Sequence, residues 1–292
     1  MKKKSSKKNI KGFTLIELIV VVAVLGILAG GIVMVLDIGG TLNKANLTKA
    51  KKFSASIENS LVINQVGKWS FEDDPLIDGV DDTSGYNRTG IVSGSPSQVP
   101  NEVLGGNTFD FNGNGDYITV AGTPDIDFSQ SFTITAWVNL DRFGDPSPSS
   151  CGDKRAMIVR KGVNNPGTVE FGTRGAGSND FNFVVRTSAL AWVGRGFGKA
   201  PLTKWHHISL SYEGNSGTIK AYLNGEITLL ENVGALATSP GGIVIGGSTP
   251  NCSSSYTDGR IDEVAIYNQA LTLSQIQHLY AKELIRQALA FR

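Results

Sequence analysis

Between Gly12 and Leu36 runs GFTLIELIVVVAVLGILAGGIVMVL, apolar or small at every position from Phe13 onward except Thr14 and Glu17. As a helix, the 24 residues from Phe13 to Leu36 reach about 36 Å at about 1.5 Å per residue. That length crosses a hydrocarbon core of about 30 Å. Six lysines (Lys2, Lys3, Lys4, Lys7, Lys8, Lys11) and no acid precede it, an asymmetry that keeps the short N-terminus cytoplasmic and the C-terminal bulk outside. A carboxylate within such a helix costs up to about 2.5–3.5 kcal/mol at its centre, so Glu17 calls for a partner.

Lys11-Gly12 followed by Phe13-Thr14-Leu15-Ile16-Glu17 resembles the class III leader and mature N-terminus of bacterial type IV pilins and pseudopilins. The resemblance implies that a prepilin peptidase cuts after Gly12 and that Phe13 becomes the N-methylated first residue. It also implies that Glu17 pairs with the N-terminal ammonium of a neighbouring subunit, the partner that a membrane-embedded carboxylate requires. Residues 1–12 would then be the cleaved leader and 13–65 the hydrophobic helix and its amphipathic stem.

Removing the six leader lysines from 27 Lys+Arg leaves 21 against 26 Asp+Glu, a net charge of −5. A mildly acidic exported body does not point to nucleic acid. Its 35 glycines and 18% charged residues suit a loop-rich β protein with a sizeable core. The two cysteines, Cys151 and Cys252, lie in Ser/Pro/Gly-rich stretches; an even count outside the cytoplasm favours one disulfide, with two free thiols as the alternative. They and the three histidines show no zinc-ligand spacing.

From Thr41 to about Asn64, Leu42, Ala45, Leu47, Ala50, Phe53, Ile57 and Leu61 recur at helical spacing against lysines and Glu58. From about Gly67 the chain turns to short alternating runs separated by turns, as in an all-β sandwich. Ser131 to Leu140 sets Phe132, Ile134, Ala136 and Val138 on one face and Thr133, Thr135 and Trp137 on the other. Asn224-Gly225 is a two-residue hairpin signal, because a type I′ turn needs positive φ twice. Leu271 to Arg292 reads as an amphipathic helix with Leu273, Ile276, Leu279, Tyr280, Leu284 and Ile285 on one side.

The segment 66–281 resembles the laminin-G-like, concanavalin A-like jelly-roll domains. The resemblance rests on Trp69-Ser70-Phe71-Glu72-Asp73, Phe109-Asp110-Phe111-Asn112-Gly113, Phe132-Thr133-Ile134-Thr135-Ala136-Trp137-Val138, Trp205-His206-His207, Tyr222-Leu223-Asn224-Gly225 and Gly259-Arg260-Ile261-Asp262-Glu263-Val264-Ala265-Ile266-Tyr267. It implies a lectin/glucanase-type sandwich followed by a short C-terminal helical tail over 282–292. In that family Asp82 and Asp262 match positions near a structural calcium site, with Asp116 a third candidate; calcium wants six to eight oxygens, and turn-capping is the alternative for all three.

Catalysis is not expected. Glycoside hydrolysis takes two carboxyls flanking the bond, whereas Asp262 and Glu263 are adjacent and strand alternation sends them to opposite faces. His206 and His207 have no nucleophile to serve and read as structural. Sugar binding wants exposed aromatics beside polar groups in one concavity, for which Trp192 and Tyr256, with Phe197 and Phe143, stand in Gly/Ser-rich stretches. The whole therefore reads as a subunit of a type IV pilus or pseudopilus-like filament. It would be a single-pass membrane protein before assembly, partnered by other pilin subunits, the prepilin peptidase and the inner membrane. Its head would lie outside the cell, where the alternative reading makes it an adhesin for surface polysaccharide.

Overall fold

The computed structural model describes residues 42–72, 79–121, 126–144, 155–162, 168–175, 178–238, 241–248 and 255–290. Gly12, Phe13, Glu17, Cys151 and Cys252 lie outside them. No helix among the described residues is long and apolar enough to cross a membrane.

Helix α1 spans Leu42–Asn64, as its spacing predicts, and strand β1 (Gln65–Trp69) follows with no linker residue. Residues 59–292 form one compact unit. Fifteen strands build two antiparallel sheets among the described residues. The first joins β13 (Glu226–Asn232), β12 (Thr218–Leu223), β11 (His206–Glu213), β6 (Phe132–Leu140), β15 (Asp258–Tyr267), β4 (Asn107–Asn112) and β3 (Ser97–Pro100) in that order, with β1 also on β15. The second runs β10 (Trp192–Lys199), β9 (Asp180–Arg186), β8 (Val169–Thr173), β7 (Met157–Lys161), β14 (Ile243–Ile245), β5 (Tyr117–Val120) and β2 (Ile91–Ser93). The core lies between them: Phe109, Ile134 and Leu210 of the first sheet belong to the same buried cluster as Phe171, Phe183 and Ile245 of the second.

Alternation explains only half of β6. Its inward face is core as expected, but Thr133, Thr135 and Trp137 are buried as well, because the outer face of the first sheet is covered. Helix α2 (Leu273–Ala290) lies there, with Tyr280 stacked on Trp137. Thr133 fixes the approach to that helix: its Oγ1 donates to Gln269 O at 2.8 Å and accepts from Leu271 N at 2.9 Å. A Thr272–Gln275 capping box then starts α2: Gln275 Oε1 accepts from Thr272 N at 2.8 Å, and Thr272 Oγ1 from Gln275 N at 3.4 Å. The buried side of α2 differs from the expected stripe: Leu273 is exposed, whereas Gln275, Ile276, His278 and Ala281 are buried.

The hairpin between β12 and β13 turns at Asn224 and Gly225, with φ of 52° and 82°, the type I′ signature. In β15 a bulge falls between Asp262 and Ala265, with Glu263 at φ 48°. There β15 exchanges one neighbour for another, pairing with β4 up to Ile261 and with β1 from Val264. The bulge also corrects the alternation expected of Asp262 and Glu263: both side chains are buried, since a bulge breaks the period of two.

Candidate binding groove

The outer face of the second sheet can be assembled from its registers. Phe171, Phe181, Phe183, Val185 and Phe197 belong to the core, so the residues alternating with them face outward. One outward row across three strands is Gly196, Asn182 and Gly172; the next is Gly194, Val184 and Glu170. A third begins with Trp192 beside Arg186. Gly194 leaves a trough where other strands carry side chains. At Gly196 the chain has no room for a Cβ, which would lie 1.9 Å from Asp180 Oδ2. Asp180 is held there, Oδ1 accepting from Gly198 N at 3.1 Å.

The trough deepens into a groove of about 330 Å³ lined by Arg155, Arg174, Asn182, Val184, Gly194, Arg195 and Gly196, near the lower end of small-ligand sites. Arg155 is braced by Glu170, Nη1 to Oε2 at 3.2 Å. Arg195 is braced by Glu231, Nη2 to Oε1 at 2.7 Å, and its Nη1 donates to Gly194 O at 2.9 Å. The guanidinium of Arg174 and the side-chain amide of Asn182 have no partner among the described residues, and the amide atoms of Asn182, a residue only 7% exposed, are not among the fully buried unpaired ones.

Trp192 is 44% exposed, with the Arg186 guanidinium 5.6 Å from its ring centroid. Tyr256 stacks on Tyr117 with centroids 6.3 Å apart and planes at 27°, and burial raises its pKa above the ordinary phenol value. Its neighbour Ser255 accepts at Oγ from Arg155 N at 3.5 Å, so the Tyr256 segment adjoins the groove. Phe143 and Phe197 are corrections: both are core residues packed on Phe181, Phe143 edge-on at 63° and Phe197 stacked at 22°, rather than exposed.

The three aspartates expected near a cation are not brought together, and each takes N–H donors on both oxygens. Asp82 Oδ1 accepts from Lys68 N and Ser84 N at 2.9 Å each, and Oδ2 from Arg88 N at 3.1 Å. Asp116 accepts from Ser95 N at 2.8 Å and Asn112 N at 3.0 Å. Asp262 accepts from Glu263 N and Asn101 Nδ2 at 2.7 Å each, and burial raises its pKa well above the usual carboxylate range. Oxygens faced by N–H dipoles are arranged as turn caps, and these residues do not fit a calcium cage. No cluster of three or more metal-type side chains occurs among the described residues.

His206 Nε2 lies 3.1 Å from Pro201 O and Nδ1 3.3 Å from Asn224 Nδ2. His207 is buried between Trp137 and Tyr280, and that burial depresses its pKa to about 3. Neither adjoins the groove, nor do Asp262 and Glu263, which lie in the other sheet.

A family model described as "Concanavalin A-like lectin/glucanases superfamily" matches residues 112–277, and one described as "Prokaryotic N-terminal methylation motif" matches residues 7–33. No curated protein matches the chain. Among solved structures, the binding domain of Paraclostridial Mosquitocidal Protein 1 is 16% identical with a TM-score of 0.59, over 75% of this chain and 52% of that one. Domain 4 of AbnA, an extracellular arabinanase of Geobacillus stearothermophilus solved with arabinotriose, is 18% identical with a TM-score of 0.56, over 74% of this chain and 98% of that one. A botulinum neurotoxin type C structure, whose cell entry depends on two ganglioside molecules, is 16% identical with a TM-score of 0.58, over 77% of this chain and 53% of that one. The chain thus spans about half the length of the toxin chains it matches, and at these identities the likeness is one of fold.

Proposed function

The chain belongs to the concanavalin A-like lectin/glucanase superfamily, and we propose that it is a pilin-like surface subunit whose sandwich head is a non-catalytic glycan-binding module. The methylation motif supports the first half: processing after Gly12 leaves an apolar helix from Phe13 that anchors the subunit in the inner membrane and then packs with other subunits in a filament. The observation that carries the second half is the glycine-floored groove beside the exposed ring of Trp192. A sugar ring offers C–H faces to an aromatic and hydroxyls to polar side chains, and the second sheet supplies both on one face. The arabinotriose-bound arabinanase domain, matched over nearly its whole length, makes a sugar ligand a reasonable first choice.

The test is affinity electrophoresis of the full chain in detergent micelles through gels containing plant and bacterial polysaccharides. Retardation by at least one polysaccharide, abolished by Trp192→Ala without a change in melting temperature, is expected. Mobility unaffected by every polysaccharide would leave the head a purely structural part of the filament.

A further inference from the structure

The groove is basic in a way that neutral sugar recognition does not require. Three of its lining residues are arginines and none is a carboxylate. Glu170 and Glu231 stand behind Arg155 and Arg195, and Asp180, with Oδ1 on Gly198 N, stands over Gly196 at the edge of the groove. The two glutamates fix the orientation of Arg155 and Arg195 while leaving part of each fork unused, since a guanidinium carries five N–H donors. Arg174 is different: its guanidinium has no partner among the described residues. Asn182, set in the floor between Gly172 and Gly196, is more than nine-tenths buried, and its amide too has no partner there. Its amide atoms are not among the fully buried unpaired ones, so they reach the groove, where a ligand would take the place of water.

We propose that the groove recognises an acidic sugar, the carboxylate of a uronic acid residue being received by Arg174 and Arg155 and a neighbouring hydroxyl or ring oxygen by the Asn182 amide. Arginine suits this task because its planar fork matches a carboxylate bidentately, whereas lysine offers only a point charge. Gly194 lets the ring lie close to the backbone, and Trp192, two residues along the same face, lies where a following sugar unit would stack. The body's net negative charge once the leader is removed disfavours indiscriminate polyanion binding, so recognition of an acid here rests on the local arginines. This inference rests on the glycan-binding reading and narrows it to a class of ligand.

The experiment is isothermal titration of the full chain in detergent micelles with tri-galacturonate, the neutral trisaccharide of galactose, and inorganic phosphate. The trigalacturonate is expected to bind, and the neutral trisaccharide to bind at least about tenfold more weakly, the cost of one lost charge-assisted contact. Asn182→Asp, nearly isosteric, should abolish acid binding by repulsion. Arg174→Lys should retain only part of the affinity and Arg174→Ala almost none, while melting temperatures confirm that each variant is folded. Equal binding of acidic and neutral trisaccharides, unaffected by Arg174→Ala, would overturn the acidic specificity and leave the glycan reading standing. Phosphate competing as well as the trigalacturonate would reduce the groove to an anion site and overturn the sugar assignment. Binding of none of the three, together with no polysaccharide retardation, would overturn both readings.

Discussion

Trp137 of β6 and Tyr280 of α2 stack with ring centroids 5.6 Å apart and planes at 21°, and His207 packs against both rings. This aromatic group closes the outer face of the first sheet. The second sheet's outer face has no such helix among the described residues, and there the groove lies open.

Tyr280→Ala should therefore loosen α2 from the sheet. The expected loss is about 2 kcal/mol, less than for a fully buried aromatic because Tyr280 keeps part of its surface in water. Urea unfolding, with tryptophan fluorescence reporting the newly wetted Trp137, measures it. An unchanged midpoint would mean the helix is held by its cap and by Ile276 alone.

Stability should fall in acid through His207. Its folded pKa of about 3 lies below the ordinary 6.5, so the unfolded chain takes up the proton first. The stabilisation is complete above about pH 6.5 and drains as pH falls, at up to about 1.4 kcal/mol per unit. Asp262 acts in the opposite sense, since its raised pKa favours the folded state as it protonates. Thermal melts from pH 7 to pH 4 should slope downward for the native chain, and His207→Phe should make that slope shallower, leaving the smaller part due to His206, whose pKa burial also lowers.

Asp116→Ala leaves the N–H groups of Ser95 and Asn112 without their acceptor, an expected cost of about 2–4 kcal/mol. Because the carboxylate caps turns, a calcium chelator should leave the native melting temperature where it was. A chelator-sensitive melt restored by calcium would overturn this account of Asp82, Asp116 and Asp262.

For the N-terminus the expectation concerns assembly. Glu17→Ala should still be processed after Gly12 and inserted, because neither step uses the carboxylate, but filaments sheared from cells should lack the subunit. Immunoblots of sheared and membrane fractions compare the two; normal filament yield would sink the pairing proposed for Glu17.

Local chemistry was readable where it is short-ranged. Asn224-Gly225 announces its turn through two positive φ values, Phe132 to Leu140 its strand through period two, and Leu42 to Asn64 its helix through period 3.6. Phe197 misled because Gly194, Gly196 and Gly198 give its strand the composition of a loop, and only pairing with β9 makes a strand of it. The groove was missed for a related reason. Arg155, Arg174, Asn182 and Arg195 share no motif or spacing, and what joins them is the register of β8, β9 and β10. One signal was present: Gly194, the next residue on the same face after an exposed-looking Trp192, marks a strand face with room above it.

The bulge at Asp262 and Glu263 has a mechanical side. Because β15 changes partner there, β1 is hydrogen-bonded alongside β15 through four register pairs, between Gln65–Tyr267 and Trp69–Val264, with Lys68 and Glu263 forming an ion pair at 2.8 Å across the join. Helix α1 runs into β1 without a linker, so tension borne by the stem reaches the head through this strand first. A pull along β1 loads its hydrogen bonds together in shear rather than opening them one at a time, and it loads them against a strand whose other edge is paired with β6. A pull on α1 would thus pass through β1 to β15, a strand held on both edges.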